Sequence, residues 1–380
     1  MPVEPMKVAV IGCGVISTAY LSNLTGRFKA IRAVACYDHH PEKAAAQAER
    51  FGIASLSWEE ILANPEIEMI INLTPPAAHY AVIKEALEHG KHVFSEKTMT
   101  VSLEEARDLV ALADAKGLRL GVAPDTFLCG GVQTARYAME HDLIGTIRSA
   151  TIAVNRNIGV YADMLPFLER PGGSMAFDYG VYHLTALASF MGPATRVTAF
   201  SHLSATQRTR MRLDQPHFGE TVNLTEDDVV AGVIEFASGA LVTVNFTGSS
   251  LINEQPYFTV FGSKGVMSMG DPNIPNGEVR IRKPQQEWFT LPFTHGFLDE
   301  SRGVGAAEMV WAIRAGRAHR ASKEMSLNVL EMVHGLTISA HSGAPYEMTT
   351  TFTPAPALPE GYLPNAAAPA WGPSEESALV

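Results

Sequence analysis

Cysteine, excess positive charge and long apolar runs are all scarce in this 380-residue chain. The three cysteines, Cys13, Cys36 and Cys129, are odd in number, far apart and set among apolar residues. That pattern excludes a disulfide framework, gives no metal-ligand spacing, and points to free thiols in a reducing compartment. Lys and Arg together number 29 against 40 Asp and Glu. Without a basic face the chain is expected to bind neither nucleic acid nor an anionic membrane surface, which leaves a small molecule as partner. The opening MPVEPMKVAVIG has no apolar stretch of signal-peptide or membrane-span length, so the expected location is the cytoplasm. No internal repeat is visible.

What is present is a change of rhythm along the chain. From Lys7 to about Pro124, short apolar runs (KVAVIG, IRAVACYD, EMIINLT, HVFSE, LRLGVAP) alternate with helical patterns at 41–52, 76–90 and 102–117, each ending in Gly. Alternating strands and helices imply βαβ units and a parallel, doubly wound sheet of Rossmann type. A helix is expected near 132–141. Then come strand-like runs at 148–157, 196–203, 228–236, 240–247, 257–261 and 265–269, several joined by tight turns such as ASGA and GSKG. Successive strands on short turns predict an open, mainly antiparallel sheet in a second α/β domain. Helices are expected at 303–315 and 327–339. The expected division is therefore a nucleotide-binding domain over 1–126, a second α/β domain over 127–352, and a Pro/Ala-rich extended tail over 353–380.

The first strand runs into Gly12-x-Gly14-x-x-Ser17, with Val15 and Ile16 leading into a helix. The first glycine permits a tight turn and the second lets the backbone approach a pyrophosphate, which a helix N-terminus attracts. Asp38 closes the second strand, at the offset of a carboxylate that binds the adenosine ribose hydroxyls. Because a carboxylate repels a 2'-phosphate, and His39, His40 and Pro41 follow instead of Arg or Lys, the expected cofactor is NAD in preference to NADP. A plain helix-capping role ahead of Pro41 is the alternative for Asp38.

The segment Asn72 to Thr98, NLTPPAAHYAVIKEALEHGKHVFSEKT, resembles the signature TPxxxHxxxxxxALxxGKHVxxEKP of the glucose-fructose oxidoreductase, inositol dehydrogenase and rhizopine catabolism (Gfo/Idh/MocA) family. Thr74, Pro75, His79, Ala86, Leu87, Gly90, Lys91, His92, Val93, Glu96 and Lys97 match it; Thr98 stands where the family usually has Pro. The resemblance implies reversible oxidation of a secondary alcohol on a sugar, polyol or glycoside by a nicotinamide cofactor. It assigns Thr74, Pro75, His79, Glu96 and Lys97 to the nicotinamide end, and Lys97 also to the reacting hydroxyl. It further implies a homo-oligomer built through the C-terminal sheet. A surface role for the Lys97 side chain is the competing reading.

Most members of the family carry Asp-x-x-x-His in the second domain, the His acting as acid/base. Here the fourth residue after Asp178 is Tyr182, and His183 comes one later. At about 100° per residue, Tyr182 lies roughly 40° from Asp178 and His183 roughly 140° away. On that geometry Leu184, Leu187 and Met191 form the core stripe. A phenol beside an ammonium is a usable base, so Tyr182 is expected to carry the proton, with Asp178 orienting Lys97 or a substrate hydroxyl, or simply capping a helix. If Gly180 distorts the helix, His183 reaches the substrate instead; if both residues only pack, Lys97 acts through water. Asn155, Arg156, Tyr161, Asp163 and Asp125 are the candidate sugar contacts, with Asn155 and Asn157 expected on one face of a strand. The segments APDTFLCGG and RGVGAAEMVWAIRAG look like a branch of the family that handles uncommon sugars, of which the branched pentose apiose is one candidate. A non-catalytic NAD-binding regulator and an NAD-dependent glycosidase or eliminating enzyme are the competing functions.

Overall fold

The computed structural model describes residues 4–253 and 256–359, which fall into two compact units. The first contains the chain to Gln133, Phe293–Ser326 and the segment from Ala355; the second contains Thr134–Pro292 and Leu327–Pro354.

In the first unit β1 (Met6–Ile11), β2 (Ile31–Tyr37), β3 (Ala54–Ser55), β4 (Met69–Asn72), β5 (His92–Ser95) and β6 (Leu120–Val122) pair in parallel in the order β3-β2-β1-β4-β5-β6. The strands alternate with α1 (Ser17–Gly26), α2 (Pro41–Phe51), α3 (Trp58–Ala63), α4 (Pro76–Glu88) and α5 (Leu103–Lys116). Every residue of β4 is buried, as a strand covered on both faces must be. Gly52 and Gly117 end α2 and α5 in the left-handed conformation, which accounts for the glycine at each helix end. Neither β3 nor α3 was expected from the sequence; α3 does carry a local signal, a capping box in which Ser57 and Glu60 bond each other's backbone N–H groups. The strand order reverses between β1 and β4, the crevice where open α/β sheets bind nucleotides.

The chain passes through α6 (Gly130–Glu140) into the second unit. There β7 (Ile147–Asn155), α7 (Ile158–Ala162), α8 (Val181–Met191), β8 (Ala194–His202), β9 (Gln207–Thr209), β10 (Thr221–Asn223), β11 (Val229–Phe236), β12 (Leu241–Thr247), β13 (Tyr257–Gly262), β14 (Val266–Met269), β15 (Val279–Arg282) and β16 (Phe289–Thr290) follow. After α9 (Val304–Ala315), α10 (Lys323–Ser342) leads to β17 (Tyr346–Glu347). Nine strands form one sheet in the order β16-β15-β14-β13-β7-β12-β11-β8-β17, with β9 and β10 as a separate ribbon. Among the described residues of this sheet, only the β7–β12 pair is parallel. Strict alternation in β12, with Val242, Val244 and Phe246 buried and Leu241, Thr243 and Asn245 exposed, shows a sheet covered on one face. Gly232 of β11 makes room there for Leu336 of α10.

Two details differ from expectation. The strand expected over 148–157 ends at Asn155, so Asn157 is not a strand partner of Asn155 but precedes α7. Helix α8 has no single core stripe: Tyr182, His183, Thr185 and Ser189 are buried along with Leu184, Leu187 and Met191, because the helix is enclosed on all sides. Of the expected tail, 353–359 has neither helix nor strand, and 360–380 lies outside the described residues.

Candidate active site

In the first unit, Gly12 leaves β1 with φ +94°, its N–H donating to Tyr37 O at 2.8 Å. A Cβ there would lie 2.8 Å from the carbonyl carbon and oxygen of Leu73, so only glycine lets the ends of β1 and β4 approach this closely. Gly14, by contrast, has nothing within 4 Å of its Cβ position, and Val15 beside it is 89% exposed. Ser17 stands at the third position of the motif because its hydroxyl turns inward and donates to Gly14 O at 2.6 Å. Ile16 gives α1 no side-chain cap, and Ser17 and Ala19 N–H donate to the Gly14 and Ile16 carbonyls at 3.1 Å each, which leaves the space over Gly14 open at the helix start. An open helix start of this kind suits an anionic group.

Asp38 stands just past β2, its carboxylate accepting from Cys13 N–H at 2.8 Å and His40 N–H at 2.9 Å. Each oxygen keeps a further lone pair. His39 and His40 are exposed, and neither supplies the permanent positive charge a 2'-phosphate requires. The loop, the uncapped helix and the carboxylate together fit NAD.

The ends of β4 and β5 are tied by a buried amide. Asn72 donates to Ser95 Oγ at 3.0 Å and accepts from the Thr74 hydroxyl at 2.7 Å and the Thr74 N–H at 3.2 Å, which fixes Thr74 and Pro75 at the start of α4. His79 is fully buried, with Nδ1 2.6 Å from Thr98 O and Nε2 2.8 Å from Thr74 O. Both ring nitrogens are therefore engaged in joining these two segments, which makes His79 a brace behind Thr74 and Lys97. Glu96 accepts from the Tyr20 hydroxyl at 2.8 Å through one oxygen and from Lys97 N–H at 3.0 Å through the other. The Lys97–Thr98 peptide bond is cis, and the Thr98 hydroxyl donates to Thr100 O at 2.9 Å.

In the second unit the segment GGSMAFDYGVYHL is not one regular helix. Ala176–Gly180 forms a π-turn that runs directly into α8, the distortion at Gly180 that the sequence left open. A Cβ at Gly180 would lie 3.1 Å from the Phe246 ring. Within the turn, the Tyr179 hydroxyl donates to the Asp271 carboxylate, and the Arg156 guanidinium reaches both groups while lying 4.4 Å from the Tyr179 ring centre. His183 has no exposed surface; its Nδ1 is 3.4 Å from Tyr179 O and its ring stacks on Phe258. Burial pushes its pKa down to about 4, with the Asp271 charge and the Tyr179 carbonyl opposing the shift. Tyr182 is 9% exposed, its ring centre 5.8 Å from that of Tyr179.

Residues 6–123 match the oxidoreductase family with an NAD-binding Rossmann fold, and residues 132–268 match the Gfo/Idh/MocA C-terminal domain. The chain belongs to the Gfo/Idh/MocA family. It is 29% identical over 203 residues to an uncharacterised oxidoreductase of Schizosaccharomyces pombe, covering 51% of this chain and 54% of that one, so it spans about half of that relative's length. It is 26% identical over 268 residues to the D-glucoside 3-dehydrogenase of Escherichia coli, covering 68% and 75% of the two chains. Its fold is similar to that of levoglucosan dehydrogenase in complex with NADH and L-sorbose, with a TM-score of 0.78 and 21% identity over 91% of this chain and 99% of that one. Among the described residues no helix is long and apolar enough to cross a membrane.

For this Gfo/Idh/MocA chain, three of the expected sugar contacts prove to be committed elsewhere. Asp125 is 1% exposed and accepts the N–H groups of Gly303 and Gly305 at 2.8 and 3.0 Å, so it caps α9. Burial pushes its pKa up to about 7, against the pull of those N–H groups, and the Glu96 charge adds to the rise. Asp163 is buried and saturated by Arg208 at 2.7 Å and the N–H groups of Met211 and Arg212 at 2.9 and 2.8 Å. Although its burial opposes ionisation, the bonds to Arg208 and these backbone groups hold the carboxyl below the usual range. Arg156 is bound into the Tyr179–Asp271 cluster. Asn155 ends β7 half-exposed, and Tyr161 stays exposed with its hydroxyl accepting from Asn253 at 3.1 Å. Asp271, which sequence reasoning missed, sits in a turn after β14 whose residues carry no motif.

Proposed function

We propose that the chain is an NAD-dependent dehydrogenase that oxidises a secondary or anomeric hydroxyl of a sugar, polyol or glycoside. The cofactor assignment is supported by the open Gly14 loop, the uncapped start of α1 and the position of Asp38. Bound NAD supplies the hydride acceptor. The chain's own task is to hold the cofactor, orient the hydroxyl and take its proton.

We assign proton transfer to Tyr182, with Lys97 as the second ionisable group and Asp178 as its orienting partner. The observation that carries the choice of Tyr182 is the state of its neighbour. His183 is wholly enclosed and stacked on Phe258, which shields it from a substrate, and burial lowers its pKa to about 4, which makes it a weak proton acceptor. A phenol of pKa about 10 becomes a workable base once an ammonium stabilises its anion. Thr74, Pro75 and Glu96 bound the nicotinamide end, with His79 and Asn72 fixing them from behind. Asn155 and Tyr161 remain available to hydroxyls of the substrate. The D-glucoside 3-dehydrogenase relative favours a ring hydroxyl of a hexoside over the branched pentose suggested by sequence.

We further propose a cytoplasmic homo-oligomer that associates through the uncovered face of the nine-stranded sheet, on which Phe200, Val233, Leu241, Tyr257 and Phe261 are exposed. The function is tested by incubating purified protein with NAD and a panel of aldoses, polyols and glycosides, including apiose and alkyl glucosides, while following NADH absorbance. The expected result is turnover with at least one compound. Stoichiometric NAD binding without turnover would assign a regulator, and leaving-group release without net NADH would assign an eliminating enzyme.

A further inference from the structure

We infer that Arg156, Tyr179 and Asp271 form a lock that holds the π-turn Ala176–Gly180 and thereby sets the direction of Asp178 relative to Tyr182; the inference rests on the assignment of proton transfer to Tyr182. A π-turn is an uncommon helical geometry that carries one extra residue and tends to occur at functional sites, so something outside the helix has to hold it. Here the restraint comes from two sides. Phe246 of β12 presses its ring against Gly180, where a Cβ would stand 3.1 Å away. Tyr179 reaches out to Asp271 and Arg156.

Both anchors are themselves fixed. Arg156 follows β7, its N–H donating to Thr247 O at 2.9 Å and its carbonyl accepting from Ser250 N–H at 3.1 Å. Asp271 follows β14, and its second carboxylate oxygen accepts from Asn273 N–H at 3.0 Å. The Asp271 side chain is 1% exposed and that of Arg156 18%, so the pair is almost fully desolvated. A buried ion pair of this kind adds little net stability but specifies one arrangement of its surroundings. If the turn relaxed to α-helix, the residues before it would shift by one position against α8, about 100° and about 1.5 Å. Asp178 and Tyr182 would then take the regular i, i+4 offset of about 40°, a different relative direction from the one the turn imposes. Tyr179 and Asp271 are thus positioning residues, and Arg156 serves the same end in place of the sugar contact expected of it.

Tyr179→Phe is the appropriate probe, since it keeps the ring and leaves Arg156 paired with Asp271. The expected result is a kcat roughly tenfold to a hundredfold lower with KM changed less than about threefold, the size of effect a displacement of about 1 Å produces. The pH profile of kcat should shift, and amide hydrogen exchange should quicken in 176–183 while β7 and β12 stay protected. Asp271→Asn should reproduce the pattern. Unchanged kcat and unchanged exchange in Tyr179→Phe would overturn the proposal. Faster exchange with unchanged kcat would overturn the positioning claim as well. If Tyr182→Phe retains full activity, the proton-transfer assignment fails, while the exchange measurement still decides whether the lock exists.

Discussion

Replacing Gly12 and Gly14 separately by Ala distinguishes a glycine that the fold needs from one that the cofactor needs. At Gly12 the backbone has φ +94°, where a Cβ costs about 1–2 kcal/mol. The added atom would also stand 2.8 Å from Leu73 C and O and 2.9 Å from Thr74 N. These are backbone atoms held by buried parallel strands, so relief requires the ends of β1 and β4 to part, an overpacking cost of about 1–3 kcal/mol. Gly12→Ala should therefore lose about 2–5 kcal/mol in urea unfolding. At Gly14 the backbone is outside the left-handed region and the Cβ position is empty within 4 Å. Gly14→Ala should leave stability unchanged, or raise it by about 0.4–1 kcal/mol through the unfolded chain. Yet the same methyl stands where the loop must come close to a pyrophosphate, so NADH affinity measured by calorimetry should fall at least about tenfold, or about 1.4 kcal/mol. Wild-type NADH affinity in Gly14→Ala would refute the placement of the cofactor in this loop. Wild-type stability in Gly12→Ala would refute the close approach of the two strand ends.

Further outcomes follow from the same geometry. The buried Asp125 carboxyl, pushed up to about 7, keeps its proton in the folded chain where the unfolded chain has lost it. Its contribution to stability is thus complete below about pH 4 and is lost as pH rises to about 7, on the order of 4 kcal/mol. Asp125→Asn should flatten that portion of the urea-midpoint profile, and an unchanged slope would contradict the burial argument. Asp38→Ala removes the acceptor for two backbone N–H groups and the charge proposed to meet the ribose, so NAD affinity should fall about tenfold while the preference for NAD over NADP shrinks; an intact preference would contradict it. Phe200→Glu combined with Leu241→Lys should reduce the mass measured by light scattering to that of one chain, and an unaltered mass would place the interface elsewhere.

The first unit was legible in the sequence because its signals are local. Buried parallel strands read as continuous apolar runs, and Gly52 and Gly117 announce helix ends by a backbone geometry that other residues avoid. The spacing of Gly12, Gly14 and Asp38 is likewise set by one turn and one crossover. The second unit was legible where hairpins are tight and illegible where strands are two to four residues long, as in β9, β10 and β15–β17. The roles of charged residues were the least legible. Asp125 and Asp163 stand in loops, like many ligand contacts, but each bonds backbone N–H groups or an Arg distant in sequence, and no periodicity reports such a partner. The π-turn falls in the same class. Counting at about 100° per residue separated Tyr182 from His183, but the count assumes a uniform helix, and the extra residue at Ala176–Gly180 is held by Asp271, more than ninety positions away.

The central claim is that Tyr182, and not His183, carries the proton. It is tested most directly by single-turnover NADH formation in Tyr182→Phe and His183→Gln, with whichever sugar or glycoside the wild type turns over. The expected result is a loss of about a hundredfold or more in Tyr182→Phe, the usual contribution of a positioned acid/base, and a loss below about tenfold in His183→Gln. Full activity in Tyr182→Phe together with its loss in His183→Gln would contradict the account.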